Sequence, residues 1–120
     1  MQEHTVLVVD DEELLRDTVA LIFRSINWRV ATAADGVEAL AAVERDRPDL
    51  LLLDLLMPQM DGREVARELK RRGSPVPIVL MTIFPDGAEA ASEIGAVGYL
   101  AKPFDINHLL AMLNSLNFDG

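Results

Sequence analysis

One stretch decides the fold of this chain: LLLLDLLMP, at residues 50–58. Six leucines surround a single carboxylate, Asp54, and a run this apolar is typical of a strand that is buried on both faces of a sheet. Asp54 then lies near the carboxyl end of that strand. Because an unpaired buried carboxylate is costly, Asp54 is predicted to be protonated, to be paired or to open onto a polar pocket. The simpler alternative is a strand-end aspartate that caps the next turn.

The composition narrows the class of protein. The chain has 120 residues, 50% of them hydrophobic, which suits one domain with a core of its own. It contains no cysteine, which excludes a disulfide framework, a thiolate nucleophile and a cysteine-based metal site. No apolar stretch reaches the roughly 18 residues of a membrane helix, and the polar start at residues 1–4 is unlike a signal peptide. We therefore expect a cytoplasmic protein that makes no membrane contact.

The charge is negative overall and unevenly distributed. A formal net charge of −9 argues against nucleic acid as a direct partner of this domain. Ten of the eleven lysines and arginines lie between Arg16 and Arg72, and Lys102 is the only basic residue from Gly73 onward. The basic run that ends at Arg72 is interpreted as the solvated face of a helix. Lys102, a lone cation in an acidic and apolar half, is a candidate functional residue.

Strand and helix patterns alternate along the chain. Short apolar runs predict five strands, at residues 5–10, 28–32, 49–54, 77–82 and 97–101. Helical spacing of apolar residues predicts a helix after each strand. The predicted helix boundaries are Asn27 for the end of the first helix, Asp35 and Glu44 for the second, Gly62 and Gly73 for the third, Gly95 for the end of the fourth and Asp105 for the cap of the fifth.

Five strand–helix units imply a parallel sheet with helices on both faces. The most apolar strands, at residues 5–10, 49–54 and 77–82, belong in the centre of the sheet. The strand that contains Trp28 belongs at an edge, and Trp28 is interpreted as a packing residue. This arrangement predicts an α/β, flavodoxin-like (βα)5 fold, a doubly wound parallel five-stranded sheet in the order 2-1-3-4-5. We predict a single domain over residues 1–120.

Polar side chains follow the carboxyl ends of the predicted strands. In this strand order ligands bind at the carboxyl ends, near the switch point between the first and third strands. Three carboxylates, one hydroxyl and one ammonium converge there: Asp10, Asp11, Asp54, Thr82 and Lys102. Clustered carboxylates repel one another unless a cation or proton joins them, and an incomplete cage of oxygen ligands suits Mg²⁺. Zinc is disfavoured, because His4 and His108 lie near the chain ends and are expected at the surface.

This set of side chains suits phosphoryl transfer. A carboxylate beside a metal can act as a nucleophile on phosphorus and form an aspartyl-phosphate. The transferred group needs charge neutralisation, which Mg²⁺, the Lys102 ammonium and the Thr82 hydroxyl would supply. A flavin or dinucleotide site is disfavoured because the turn after the first strand is acidic rather than glycine-rich. A phosphatase acting on other substrates is disfavoured because Leu56, two residues after Asp54, replaces the second aspartate of such enzymes.

Several short motifs occur in order along the chain: VDDE at residues 9–12, ADGVEAL at 34–40, DLLMPQMDG at 54–62, MT at 81–82 and GYLAKPF at 98–104. Each motif is weak alone, but the ordered set spans nearly the whole chain and is highly specific. The set resembles the receiver domain of two-component response regulators. The resemblance implies a domain that accepts a phosphoryl group from a histidine kinase or phosphotransfer protein and signals to an output domain or protein.

The resemblance implies a role for each matching residue of the acidic site. Asp54 matches the phosphoacceptor. Mg²⁺ would be bound by the side chains of Asp11 and Asp54, by the main-chain carbonyl of Leu56 and, through water, by Asp10. Lys102 would contact the phosphoryl group, and the peptide bond that follows it, to Pro103, is typically cis in this family.

The resemblance also implies a conformational switch. Thr82 would move toward the phosphoryl group. Tyr99 matches the aromatic switch residue, which turns inward as the threonine moves. The change would remodel the surface formed by the fourth helix, the fifth strand and the fifth helix. That surface lacks the lysines and arginines that build the salt-bridged dimer of the winged-helix transcription-factor subfamily, so this dimer is not predicted.

The chain departs from the family pattern at the entrance to the site. The residue after Thr82 is usually small, and the larger Ile83 is expected to crowd the phosphoryl pocket. Leu56 and Phe84 occupy the two positions that line access to the phosphorus, and both are apolar. We therefore predict slow entry of attacking water and a long-lived phosphoryl form.

Two hypotheses of different class follow. In the first, the domain is a phosphorylation switch that assists the chemistry on its own Asp54 but turns over no external metabolite, so it is not an enzyme. In the second, the receiver fold is an interaction module that works without phosphorylation, with Ile83 blocking the switch. The complete set of acidic, threonine and lysine residues favours the first. Whether the chain is a whole protein or a fragment stays open.

Overall fold

The computed structural model describes residues 3–118, so Met1 and Gln2 of the polar start and the last two residues lie outside the described part. Five strands alternate with five helices, as predicted. The strands are β1 (Thr5–Val9), β2 (Arg29–Ala33), β3 (Leu50–Asp54), β4 (Ile78–Thr82) and β5 (Gly98–Ala101). The helices are α1 (Glu13–Ser25), α2 (Gly36–Asp46), α3 (Gly62–Arg71), α4 (Gly87–Ile94) and α5 (Ile106–Ser115). Over residues 3–118, no helix has both the length and the apolar character needed to cross a bilayer.

The strands form one parallel sheet in the order β2-β1-β3-β4-β5, which confirms the predicted flavodoxin-like fold. β2 and β5 are the edge strands. The register pairs Val9 with Leu53 and Thr82 with Ala101. The strands therefore end together along one edge of the sheet, and the polar residues that follow them are brought to the same place.

The leucine strand β3 is buried because helices cover both faces of the sheet. Leu51 and Leu53 pack with α2 and α3 on one face, and α4 extends this face over Leu80. Leu50 and Leu52 pack with α1 and α5 on the other face. All five side chains are fully buried, and this removal of apolar surface from water is the main stabilising contribution to the fold.

Most helix boundaries follow their sequence signals. Asn27 and Gly95 adopt left-handed backbone conformations, with φ of 68° and 73°, just after α1 and at the end of α4. Asp35 and Asp105 each accept a hydrogen bond from a backbone N–H three residues later, at 2.8 and 3.0 Å, and so cap α2 and α5. These four predictions are confirmed.

Several boundaries differ from the prediction by one or two residues. α2 was predicted to end at Glu44 but continues to Asp46, because Arg47 adopts the left-handed conformation with φ of 44° and closes the helix there. β1 ends at Val9, so Asp10 lies just beyond the strand rather than in it. β2, β3, β4 and β5 each begin one residue later than predicted, so Trp28 precedes β2.

An aromatic cluster closes the amino end of the sheet: His4, Phe23, Trp28 and Phe118. Trp28 is 4% exposed, which confirms it as a packing residue. The surface position predicted for His4 is wrong, because its half-buried ring packs 4.9 Å from that of Trp28 and 5.1 Å from that of Phe118, between centroids. His108 is exposed, as predicted. His4 is therefore held by aromatic packing just before β1. Its position along the chain gave no sign of this contact.

Candidate functional site

Two carboxylates follow β1 directly. Asp10 is 1% exposed, and its Oδ1 accepts a hydrogen bond from the backbone N–H of Glu12 at 2.9 Å. The guanidinium of Arg16 donates to the backbone carbonyl oxygen of Asp10 at 2.8 Å. Asp11 is exposed. The turn from β1 into α1 therefore presents one fixed, buried carboxylate and one accessible carboxylate.

A third carboxylate ends β3. Asp54 is the last residue of the strand and is buried. The chain then folds back closely, because the N–H of Gly62 donates to the carbonyl oxygen of Leu55 at 2.8 Å. A Cβ added to Gly62 would lie 2.6 Å from the carbonyl oxygen of Asp54, closer than real side chains come. A glycine is therefore needed where the start of α3 crosses the end of β3.

Lys102 joins the two buried carboxylates. Its Nζ donates to Asp10 Oδ2 at 2.8 Å and to Asp54 Oδ1 at 3.1 Å. The N–H of Lys102 donates to the carbonyl oxygen of Thr82 at 2.8 Å, and the Lys102–Pro103 peptide bond is cis, as the resemblance implied. Asp54 is thus paired with an ammonium group, and no backbone donor to its carboxylate is present among residues 3–118. The geometry therefore supports a paired carboxylate at Asp54 rather than a strand-end aspartate that caps the next turn.

Burial and neighbouring charges set the protonation of the site. Burial raises the pKa of Asp54 to about 6, and repulsion from Asp10 adds to the rise while Lys102 opposes it. Burial lowers the pKa of Lys102, but its hydrogen bonds and ion pairs with the two carboxylates outweigh burial, and its pKa is raised overall. At neutral pH the site therefore contains more negative than positive charge.

This excess of negative charge fits a hard cation. One carboxylate oxygen from each of Asp10, Asp11 and Asp54 lies within 4.8 Å of the others. The group contains oxygen ligands only, whereas zinc sites rely on nitrogen and sulfur. Three carboxylates form an incomplete cage, which suits Mg²⁺ because this ion keeps several of its waters. The residues present therefore fit the predicted cofactor.

Thr82 is the last residue of β4, and Tyr99 lies in the neighbouring strand β5, where it pairs with Leu80. Thr82 is 2% exposed, and its hydroxyl accepts a hydrogen bond from the N–H of Phe84 at 3.0 Å. Tyr99 is 40% exposed, and the edge of its ring lies against Gly87 at the start of α4. The threonine hydroxyl is thus bonded to its own loop, and the tyrosine ring lies partly in solvent.

Three apolar side chains follow β3 and β4 at the same edge. Leu56, Ile83 and Phe84 are 54%, 68% and 38% exposed. Because β3 and β4 are neighbours, Leu56 and Phe84 follow strand ends that lie side by side. Ile83 leaves most of its side chain in solvent, and the crowding expected from its size stays a prediction.

Two clefts of the described residues lie elsewhere. A cleft of about 510 Å³ lies between α2, α3 and the chain before β4, and is lined by residues that include Leu40, Arg47, Leu69 and Val76. A second, of about 480 Å³, separates α3 from α4. Neither is lined by Asp54. Charge and convergent polar groups, rather than cavity size, identify the candidate site.

Sequence reasoning missed the residues that hold this site in place. Nothing in the spacing marked Arg16 as a partner of the Asp10 carbonyl group, because the contact depends on how α1 packs over the end of β1. Gly62 was predicted only as the start of a helix. The available signal is Gly62 itself, since glycine is a poor helix former and is often found where two backbone segments approach closely.

The fold and the site together define a class of protein: a flavodoxin-like domain with an acidic, lysine-paired cluster at the switch point of its sheet. The family model described as "Response regulator receiver domain" matches residues 6–114. The chain therefore belongs to the response regulator receiver family, as the motifs indicated.

Curated relatives agree with this family. Response regulator MprA of Mycobacterium leprae is 42% identical over 113 residues, which cover 92% of this chain and 50% of the relative. Response regulator MprA of Mycobacterium ulcerans is 41% identical over 113 residues, with 92% and 49% covered. The chain thus spans about half the length of the curated relatives it matches.

Solved structures agree with the fold. Chemotaxis response regulator CheY4 of Vibrio cholerae has a TM-score of 0.88 at 33% identity, covering 96% of this chain and 99% of that one. The receiver domain of sensor histidine kinase PA1611 from Pseudomonas aeruginosa has a TM-score of 0.84 at 31% identity, covering 95% and 97%. That neighbour carries a magnesium ion coordinated in its active site cleft.

Proposed function

We propose that this single receiver domain, residues 1–120, accepts a phosphoryl group on Asp54 from a histidine kinase or phosphotransfer protein in a Mg²⁺-dependent reaction. The observation that carries the proposal is the ion-paired cluster, in which Lys102 Nζ lies 2.8 Å from Asp10 and 3.1 Å from Asp54. A buried carboxylate next to a fixed ammonium is poised to react with an anionic phosphoryl donor, because the ammonium offsets the charge of both.

The transfer needs one nucleophile and several positive charges. A carboxylate oxygen of Asp54 forms the new bond to phosphorus, while the bond to the donor nitrogen breaks and the donor imidazole keeps that electron pair. Lys102 neutralises charge on the phosphoryl oxygens. Asp11, Asp54 and the Leu56 carbonyl would hold Mg²⁺ directly and Asp10 would hold it through water, and the ion supplies further positive charge at these oxygens.

The output is proposed to pass through α4, β5 and α5. The Thr82 hydroxyl, now bonded to the N–H of Phe84 at 3.0 Å, exchanges that bond for a phosphoryl oxygen, and Tyr99 turns inward. The altered surface binds an output domain or protein, with no direct nucleic acid contact by this domain and no membrane contact. The protein acts in the cytoplasm and turns over no external substrate, so it is a switch rather than an enzyme.

The phosphoryl form is proposed to be long-lived. Leu56 and Phe84 place partly exposed apolar side chains after neighbouring strands, the first of which ends at the proposed phosphoacceptor. Apolar groups there offer no hydrogen bond to an attacking water and shield the phosphorus. Leu56→Asn and Phe84→Ala are expected to shorten the lifetime, measured as loss of the phosphoryl mass with time after removal of the donor. A wild-type lifetime on the scale of seconds would contradict this proposal.

Phosphorylation is tested by intact mass after incubation with acetyl phosphate and Mg²⁺. Wild type is expected to gain the mass of one phosphoryl group, and Asp54→Ala to gain none. The matched control is Asp46→Ala, which removes a carboxylate at the end of α2 and should be phosphorylated like wild type. A wild-type chain that gains no mass, or an Asp54→Ala chain that does, would sink the proposal in favour of an interaction module that works without phosphorylation.

A further inference from the structure

Gly87, the first residue of α4, lies between the two proposed switch residues. A Cβ built on Gly87 would lie 2.8 Å from the Thr82 methyl carbon, 2.8 Å from Tyr99 Cδ2 and 3.0 Å from Tyr99 Cε2. Real Cβ contacts essentially never fall below 3.0 Å. The backbone of Gly87 is therefore in close contact with both side chains, and only the absence of its own side chain allows this.

The glycine is needed for space rather than for backbone freedom. Its φ is not in the left-handed region, unlike those of Gly73 and Gly95. Gly87 is the first residue of α4, and glycine is a weaker helix former than every residue except proline. Helix propensity therefore does not explain a glycine here, whereas the contact with Thr82 and Tyr99 does.

The two neighbours differ in how readily they can move. Thr82 is 2% exposed, ends the buried strand β4 and has a short, branched side chain. Tyr99 is 40% exposed, and its ring sits at the end of two rotatable bonds. α4 itself is held in place by Ala90, which is buried in the same cluster as Leu80. A side chain at position 87 would therefore displace the Tyr99 ring.

We propose that Gly87 is a positioning residue that couples Thr82 to Tyr99, an inference that rests on the proposed phosphorylation switch. In the structure the Thr82 methyl group and the Tyr99 ring share the space above the Gly87 Cα. When Thr82 turns toward a phosphoryl group, its methyl group leaves this space and the ring edge advances into it. A Cβ at position 87 would fill the space in both states and keep the ring outside.

The test compares Gly87→Ala with wild type and with Gly98→Ala. Gly98 is the matched control, because it adjoins Tyr99 in β5 and an added Cβ there would meet, at 3.0 Å, the sulfur of the flexible Met112 side chain. Tyr99 is the only tyrosine of the chain, so its ring signals in an NMR spectrum are unambiguous. Broadening of these signals by a soluble paramagnetic agent reports ring exposure, without and with Mg²⁺ and beryllofluoride as the phosphoryl analogue.

In the absence of the analogue, Gly87→Ala is expected to broaden the ring signals more than wild type or Gly98→Ala. With the analogue, the wild-type ring becomes protected, whereas Gly87→Ala binds the analogue through the intact acidic site but loses the protection. Ring signals in Gly87→Ala that match wild type in both states would overturn the inference. A wild-type protein that binds no analogue would count against the phosphorylation switch. In that case the exposure of the Tyr99 ring, compared between wild type and Gly87→Ala without the analogue, still tests whether Gly87 leaves space for the ring.

A stability measurement covers the case in which Gly87→Ala folds poorly. If the added methyl group clashes with the Tyr99 ring, removal of the ring relieves the clash. The Gly87→Ala substitution is then expected to lower the urea midpoint of a Tyr99→Ala chain much less than it lowers the midpoint of the wild-type chain. An equal loss of midpoint with and without Tyr99 would show that the ring is not what position 87 accommodates.

Discussion

The two ends of the sheet are lined by side chains of opposite character, aromatic at one end and charged at the other. At the amino end, aromatic rings pack edge to face, with the centroids of Phe23 and Phe118 each 5.1 Å from that of Trp28. At the carboxyl end, Asp10 and Asp54 share a single ammonium group. Aromatic packing releases water and stabilises the fold, whereas burying like charges costs free energy unless a cation joins them. The comparison indicates that the amino end adds to the stability of the domain, whereas stability alone does not explain the buried charges at the carboxyl end.

The largest effect is expected from breaking the amino end. Trp28→Ala removes a side chain that is 4% exposed and should lower the free energy of unfolding by about 3–5 kcal/mol. Urea denaturation measures the change. Trp28→Phe is the matched variant and should cost less than half as much, because it keeps an aromatic ring and removes an indole N–H that is buried without a partner among the described residues. Equal costs for the two variants would contradict the packing role of the cluster.

At the carboxyl end, removing the charge of Asp54 is expected to stabilise the protein, by less than the loss of Trp28 destabilises it. The pKa of Asp54 is raised from 3.8 to about 6, so between these values the native state holds a proton that the unfolded chain has released. The free energy of unfolding of the metal-free protein therefore falls as pH rises through this range, and the destabilisation is complete above it. Asp54→Asn removes the charge and should raise the free energy of unfolding by about 1–3 kcal/mol near pH 7.5.

The pH dependence provides the check. Urea denaturation in the presence of a chelator should show a gain for Asp54→Asn near neutral pH that shrinks toward pH 4, where native wild-type Asp54 is protonated. Asp46→Asn, an exposed carboxylate paired with Arg45, serves as the control and should show no such gain. A gain that is equal at both pH values would mean that packing, and not charge, distinguishes the variant.

The smallest effect is expected from adding Mg²⁺. A metal that binds only the native state stabilises it by about 1.4 kcal/mol at ten times its Kd. Thermal unfolding of wild type should therefore shift upward with Mg²⁺ and return on chelation, whereas Asp11→Ala should shift far less. Trp28→Phe, changed at the other end of the sheet, should keep the full shift. A shift that survives in Asp11→Ala would place the metal outside the acidic cluster.

The predicted site and the observed site agree where strand topology alone is sufficient. Apolar runs identify the strands, a parallel order aligns their carboxyl ends, and Asp10, Asp54 and Lys102 follow those ends. The prediction was weaker where a contact depends on packing between elements. The burial of His4, the bond from Arg16 to the Asp10 carbonyl and the close approach of Gly62 to Asp54 all depend on how helices seat on the sheet.

The sequence by itself determined the fold class and the members of the acidic cluster. Periodicity and turn residues act locally, and the chirality of strand crossovers leaves few ways to assemble five such units. Only the tertiary structure decided which carboxylates Lys102 pairs with, why burial raises the pKa of Asp54, and why Gly87 lacks a side chain. These depend on distances between atoms that are far apart in the chain, and the close packing of the folded interior is what sets those distances.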